Sequence, residues 1–302
     1  LLGRITMKMN QWAVCRCFKK IEERFDIVYA HFWTSGYNIM PCAIKYQLPL
    51  FVASGEDKIF FTQLISSREV LQLKRVVRGV ICVSTKNLKE CIALNLVEKD
   101  TCIILPNAVN LDEFYRMEKS IVRGRLGYAV NDFIVVFVGR FVHRKGAKRV
   151  SDAIARLKDD SIKSIFIGST MSDETNDEEP NCSGILFKGK LKHSDIPLYL
   201  NSADVFILPS LAEGCSNSIV EALACGLPVI SSDMEFNYDI LNTSNAILIN
   251  PLDVEEIAKS IKYLKEDKSL CKQMSFSAIK TAQTLNYSDR VLKILEFIEN
   301  KK

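Results

Sequence analysis

The chain has 302 residues, with 40 Lys and Arg against 36 Asp and Glu and a net charge of +4 at pH 7. That near balance does not point to nucleic acid, and a 48% apolar content can fill two cores. The length exceeds that of most single domains and suits two α/β domains of roughly 120 to 170 residues each. No run of 18 uninterrupted apolar residues occurs, so no membrane-spanning helix is expected. No secretory signal is read at the start. The ten cysteines are scattered, several in apolar segments, which suits a reduced cytosol. Cys15 and Cys17 form a CxC pair with no second pair at zinc-site spacing, so no metal is expected.

In chain order, apolar runs predict strands at 26–32, 48–53, 79–84 and 102–105. A linker is expected between Tyr115 and Asn131. Beyond it, strands are expected at 132–139, 164–168, 185–188, 204–209, 228–232 and 246–249, with helices in the gaps. Such alternation argues for parallel sheets with helices on both faces. The acidic stretch 170–183 reads as a long exposed loop. The end, 287–302, reads as a helix with Val291, Leu292, Leu295 and Ile298 on one face. Charge is unevenly shared: residues 1–128 hold 19 basic against 12 acidic side chains, a balance of +7, whereas 129–302 hold 21 against 24.

Two segments carry chemistry. In FVGRFVHRKGAKRV, Gly139 closes a buried strand and allows close backbone approach, and Arg140 and Lys145 flank the turn into a helix starting near Gly146. Two fixed cations at a strand's carboxyl end can neutralise a departing diphosphate. In VFILPSLAEGCSNSIVEALACG, a buried strand ends near Pro209 and a helix begins near residues 216–218. Glu213 and Gly214 sit in the loop, and Glu221 lies one turn into the helix. The amides of Cys215, Ser216, Asn217 and Ser218 suit phosphate oxygens at a helix N-terminus. Carboxylates there accept sugar or ribose hydroxyls. The alternatives are ordinary: surface charges for Arg140 and Lys145, helix capping for Glu213, and a structural ion pair for Glu221.

These segments, together with PNAVNLDEF (106–114) and ILFKGKLKHSDIPLYLNSADVFILPS (185–210), resemble the retaining glycosyltransferases of family four, over roughly residues 26–275. The resemblance implies the GT-B fold: two Rossmann-like domains whose parallel sheets face across a cleft. The expected division is 1–122 for an acceptor-side domain, 123–286 for a nucleotide-sugar-binding domain, and 287–302 for a helix crossing back to the first. Its implied reaction is transfer with retention of a hexose-type sugar from a nucleoside diphosphate sugar to a hydroxyl acceptor, in cell-surface polysaccharide or glycolipid synthesis. Arg140 and Lys145 would stabilise the leaving diphosphate, Glu213 would orient the sugar and Glu221 would hold the ribose. The backbone at Lys190 and Leu191 would face the base. No cofactor is implied beyond the donor, and the partners are that donor and a glycan or lipid-linked acceptor. A cytoplasmic protein touching the inner membrane face is expected, with Lys74, Arg75 and Arg78 of LQLKRVVRGV as the local candidate for an anionic surface and a solvated helix face as the alternative.

Several departures from the family pattern matter. Some 60 to 90 residues of a usual first domain, with its glycine-rich loop, are expected ahead of Leu1, an estimate from typical domain size. Ser54 stands where many relatives have a histidine, and it cannot supply the same ring-nitrogen hydrogen bonds. Ala108 replaces a glycine in the PNG signature, so a shifted turn is expected there. His31 matches a common family position, either as acceptor-side scaffolding or as a satisfied core histidine. His143 and His193 read as lone loop histidines. The rival functions are a noncatalytic nucleotide-sugar binder and a GT-B sugar-nucleotide epimerase.

Overall fold

The structure, a computed structural model, describes residues 2–21, 24–170 and 178–302. Half of the expected acidic loop at 170–183, residues 171–177, lies outside the described residues. The chain separates into two compact units: unit 1 runs to Pro106 and includes Glu213–Cys215 and Ser288–Lys302, and unit 2 holds Asn107–Ala212 and Ser216–Tyr287.

Unit 1 opens with α1 (Leu2–Phe18), packed on α2 (Trp33–Tyr46). The contact uses one face of α1, where Met7 and Gln11 are buried and Gln11 Nε2 donates to the Tyr37 carbonyl at 2.9 Å. The strands β1 (Val28–His31), β2 (Leu50–Ser54), β3 (Val77–Cys82) and β4 (Cys102–Ile104) form a parallel sheet in the order β1-β2-β3-β4. β2 is buried throughout, which is why LFVAS is a continuous run and not an alternating one. Trp33, Tyr37, Leu50, Val52, Leu73 and Val80 fill the core between sheet and helices. α3 (Ser67–Val76) starts with a reciprocal cap: Glu69 N donates to Ser66 Oγ, and Ser66 N donates to the Glu69 carboxylate. α4 (Thr85–Ala93) begins on Ser84, whose side chain accepts from Asn87 N.

Unit 2 contains α5 (Lys119–Leu126), β5 (Phe133–Val138), α6 (Ala147–Leu157), β6 (Ile162–Ile167), β7 (Ile185–Gly189), α7 (Ile196–Ser202), β8 (Val205–Leu208), α8 (Asn217–Ala224), β9 (Val229–Ser232), β10 (Ala246–Ile249), α9 (Val254–Glu266) and α10 (Lys268–Gln283). Its strands form a parallel sheet ordered β10-β9-β8-β5-β6-β7. The chain leaves β5 on one side for β6 and β7, then returns to the other side for β8. The strand order therefore reverses between β5 and β8. In an open parallel sheet such a reversal leaves a crevice at the carboxyl ends of the two strands, because their connections leave in opposite directions.

All ten expected strands form, each within two residues of its expected start. The linker does not. Residues 119–126 are helical, started by Glu118 and stopped by Gly127 at φ 71°, and the units separate after Pro106, not at 122. Arg123 of this helix is 2% exposed and donates to the carbonyls of Ser202, Val130 and Asp132 and to Asp204 Oδ2 at 2.7 Å. Asp204 also accepts from Ile134 N and from Lys119. The polar, glycine-bearing KSIVRGRLG reads as linker because, of its two buried side chains, Val122 and Arg123, one is charged.

The last helix, α11 (Tyr287–Lys301), supplies Ser288–Lys302 to unit 1. Of its expected apolar face it buries one residue in four. Val291, Leu292 and Leu295 are exposed, Ile298 is buried, and Phe297 packs edge-on against Phe51 with ring centroids 6.4 Å apart. Arg290 Nε donates to the Pro106 carbonyl at 2.8 Å. Among the described residues, no helix is long and apolar enough to cross a membrane.

Candidate functional site

The crevice between β5 and β8 is where both expected segments converge. After β5, Gly139 N donates to the Ile167 carbonyl at 2.9 Å, and the chain runs so close to β6 that a Cβ on Gly168 would lie 1.9 Å from the Gly139 carbonyl oxygen. The close approach therefore demands glycine at 168. Tight turns follow, with Lys145 N and Gly146 N both donating to the Val142 carbonyl, and Gly146 enters α6 at φ 81°. Arg140 is exposed and Lys145 half-buried.

Two arginines that no sequence pattern singled out tie this turn to the end of β8. Arg149 is buried on the first turn of α6, and its guanidinium donates to the carbonyls of His143 at 2.7 Å and Pro209 at 2.8 Å. It passes directly over Gly146, where a Cβ would meet Nη2 at 2.5 Å, and its Nε is buried without a partner. Arg144 donates to the Ala212 carbonyl, and Leu211 N and Ser210 Oγ donate back to the Arg144 carbonyl at 2.8 and 3.2 Å. The loop carrying Arg140 and Lys145 and the loop leading into Glu213 are thus laced together through main-chain groups. Partners across the two loops lie 60 or more residues apart in sequence, so only the strand order reveals the lacing.

Past Ala212, Glu213, Gly214 and Cys215 are buried, and they group with unit 1. In unit 2, Ser216 stands at the N-cap of α8 without capping it through its side chain; its Oγ lies 3.1 Å from Ser218 Oγ. Asn107 of the PNA signature donates to Asn217 Oδ1 at 2.7 Å. Ala108 has no positive φ, and the following Val109 N donates to the Leu285 carbonyl, so the turn accommodates alanine without strain.

Glu221 is largely buried, and burial raises the pKa of its carboxyl, opposed by the hydrogen bond and charge of His193. His193 is therefore not a lone loop histidine. Its Nε2 is 3.1 Å from Glu221 Oε1, and its ring sits 5.2 Å from that of the buried Phe114 in the NLDEF segment. Asn201 holds that segment by donating to the Tyr115 carbonyl and accepting from Met117 N. Lys190 and Leu191 lie just past the carboxyl end of β7, three and two residues before His193. That short interval was the one available signal for His193.

In unit 1, His31 at the end of β1 is exposed, edge-on to Tyr29, and is not a core histidine. Ser54 is wholly buried, and its hydroxyl donates to Glu56 Oε2 at 3.1 Å. The Glu56 carboxylate also accepts from Gly55 N and Trp33 N. A serine fits here because a local carboxylate accepts the hydrogen bond of its hydroxyl. The basic stretch 74–78 is not one helix face: α3 ends at Val76, Arg78 lies on β3, and Lys74 is paired with Glu98 and Asn95.

Two all-parallel sheets with helical crossovers, the second with its strand order reversing between β5 and β8, make up a GT-B fold. The family described as "Glycosyl transferases group 1" matches residues 118–281, and the chain belongs to it. It is 29% identical over 255 residues to TuaC of Bacillus subtilis, whose name assigns it to teichuronic acid biosynthesis as a glycosyltransferase, covering 82% of this chain. The chain spans only 64% of the length of that relative. It is 25% identical over 302 residues to an Escherichia coli UDP-Gal:α-D-GlcNAc-diphosphoundecaprenol α-1,3-galactosyltransferase, covering 93% of this chain and 78% of that one. Anabaena HepE, solved with UDP and glucose, shares the fold at a TM-score of 0.79 and 20% identity, over 91% of this chain and 78% of that one.

Proposed function

We propose that the chain transfers a hexose-type sugar, with retention, from a nucleoside diphosphate sugar to a hydroxyl on a glycan or lipid-linked acceptor. The process served is synthesis of a cell-surface polysaccharide or glycolipid, at the cytoplasmic face of the membrane. The observation that carries this reading is the pair of loops laced together at the β5–β8 crevice, one bearing Arg140 and Lys145 and the other leading into Glu213 and α8. TuaC and the Escherichia coli galactosyltransferase support the sugar-transfer reading by their names.

In this reading the diphosphate lies against the amides of residues 215–218, where a helix N-terminus presents N–H groups and a partial positive charge. Arg140 and Lys145 stabilise the negative charge that grows as the sugar–oxygen bond breaks. Glu213 accepts the sugar's hydroxyls and Glu221 those of the ribose, with Gly139 leaving room at the strand end. His193 fixes the Glu221 carboxylate, and the backbone at Lys190 and Leu191 faces the base. The leaving phosphate then helps take the acceptor's proton on the same face, as the family resemblance implies.

A panel of UDP-, GDP- and ADP-sugars should contain at least one that raises the melting temperature, since a ligand bound only by the native state stabilises it by mass action. Glu221→Ala should shrink that rise and weaken binding of the free nucleoside diphosphate too. An undiminished affinity in a folded Glu221→Ala protein would remove this residue from the site. Because burial holds the Glu221 pKa above the ordinary carboxylate value, nucleotide affinity should begin to fall, as pH is lowered, above the usual carboxylate range.

No cofactor or metal is proposed, because two cationic side chains supply the charge that a divalent ion would otherwise bring. Transfer should accordingly survive EDTA. Loss of activity in chelator with recovery on adding magnesium or manganese would overturn that assignment.

A further inference from the structure

We propose that Arg149 is a positioning residue for the diphosphate: it fixes the distance between the two site loops, and with it the place of Arg140 and Lys145 relative to the amides that open α8. The inference rests on the nucleotide-sugar reading above.

Arg149 stands on the first turn of α6 and is 8% exposed. Its Nη1 donates to the carbonyl of His143, which lies between Arg140 and Lys145 in the chain, and its Nη2 donates to the carbonyl of Pro209, one residue past β8. One planar group therefore holds both loops at once. A guanidinium suits this task because its donors keep a fixed separation, which a lysine ammonium does not offer. The fit around it is tight: a Cβ on Gly146 would lie 2.5 Å from Nη2 and 3.0 Å from Pro209 Cγ. Gly146, Arg149 and Pro209 thus form one packed contact, and a displaced guanidinium moves both loops.

Arg123 shows how this domain holds a buried cation for the fold alone, because it meets Asp204 at 2.7 Å. Arg149 is held differently. Among the described residues no carboxylate pairs with it, its Nε is buried without a partner, and burial pushes its pKa below the ordinary arginine value, opposed by the charge of Glu178. A buried charge without a counter-ion costs stability, so a fold anchor is better served by a pair. An anion site gains from it, since positive charge at its wall attracts the ligand and fixed loops present their donors without reorganising on binding.

The test measures the affinity of the 302-residue chain for UDP, GDP and ADP, and for uridine, guanosine and adenosine, by NMR titration. For the base that the parent binds, Arg149→Met should weaken the diphosphate at least tenfold and the nucleoside no more than twofold, because the nucleoside keeps base and ribose and has no phosphate. A smaller folded fraction would lower both affinities together, so their ratio separates positioning from stability. Arg149→Lys should recover part of the loss, and it reads the same ratio if the methionine variant does not fold. Combining Arg149→Met with Arg140→Ala should cost less than the product of the two single losses, since the one acts partly through the other. Amide exchange, read by mass spectrometry, should quicken in both 139–146 and 209–212. An unchanged ratio in a folded Arg149 variant, or unchanged exchange in either loop, would overturn the proposal and leave Arg149 an anchor of the fold. A parent chain that binds none of the nucleotides would sink the preceding reading and this one together, whereas a binding parent with an unaltered variant sinks this one alone.

Discussion

Replacing Arg140 or Lys145 with alanine should lower kcat/KM for sugar transfer by about 2 to 4 kcal/mol each, the scale for losing one preorganised charge-stabilising group. The physical reason is that a leaving diphosphate gains charge in the transition state, and these are the cations on the turn at the β5 end of the switch point. Neither residue fills a core position: Arg140 is exposed and Lys145 half-buried. The melting temperature without ligand should therefore move little, whereas the rise caused by a nucleotide sugar should shrink. Arg140→Lys separates charge from shape, because lysine keeps the charge and loses the planar fork. A double alanine variant that transferred sugar as well as the parent would show that the diphosphate binds elsewhere.

The opposite profile is expected for Arg123→Ala. This side chain is 2% exposed, donates to main-chain carbonyls that include those of Ser202, Val130 and Asp132, and pairs with Asp204, which in turn holds the start of β5 through Ile134 N. Removing the guanidinium leaves those acceptors without their donor and Asp204 with only the partly exposed Lys119 as counter-charge. Breaking such a buried pair costs about 3 to 5 kcal/mol. For a unit of this size the loss corresponds to a fall of roughly 10 °C in melting temperature, readable by calorimetry. Arg123→Lys should recover part of it, because one ammonium can reach Asp204 but cannot serve three carbonyls at once. Nucleotide affinity, extrapolated to the folded fraction, should be unchanged, since Arg123 lies at the amino end of β5 and β8, away from the crevice at their carboxyl ends. A melting temperature within 2 °C of the parent would contradict the anchoring role.

The two substitutions divide the same domain by strand polarity. At the amino ends of β5 and β8, buried charge serves the fold. At the carboxyl ends, the cations are left in contact with solvent, where a ligand can use them. Arg149 stands between the two cases, buried like Arg123 yet placed so that its carbonyl partners, His143 and Pro209, belong to the two site loops.

The ten strands and the helix starts near 146 and 217 could be read from residues alone, because parallel strands buried on both faces are continuous apolar runs and helix entries carry local signals. The candidate residues Arg140, Lys145, Glu213 and Glu221 were legible for the same reason, each lying a few positions from a strand end or helix start. Three kinds of feature were decided only by tertiary structure. The strand order β10-β9-β8-β5-β6-β7, which places the two loops side by side, depends on which helices cover which face, and no local pattern records it. The partnerships of His193 with Glu221, Arg149 with Pro209 and Arg123 with Asp204 join positions 28, 60 and 81 residues apart, and a buried charge looks in sequence like a surface one. Finally, apolar periodicity says that a helix has an apolar face but not whether anything covers it. α11 leaves Val291, Leu292 and Leu295 in solvent while burying Ile298, and α1 exposes Ile5, Met9 and Trp12 while packing through Met7.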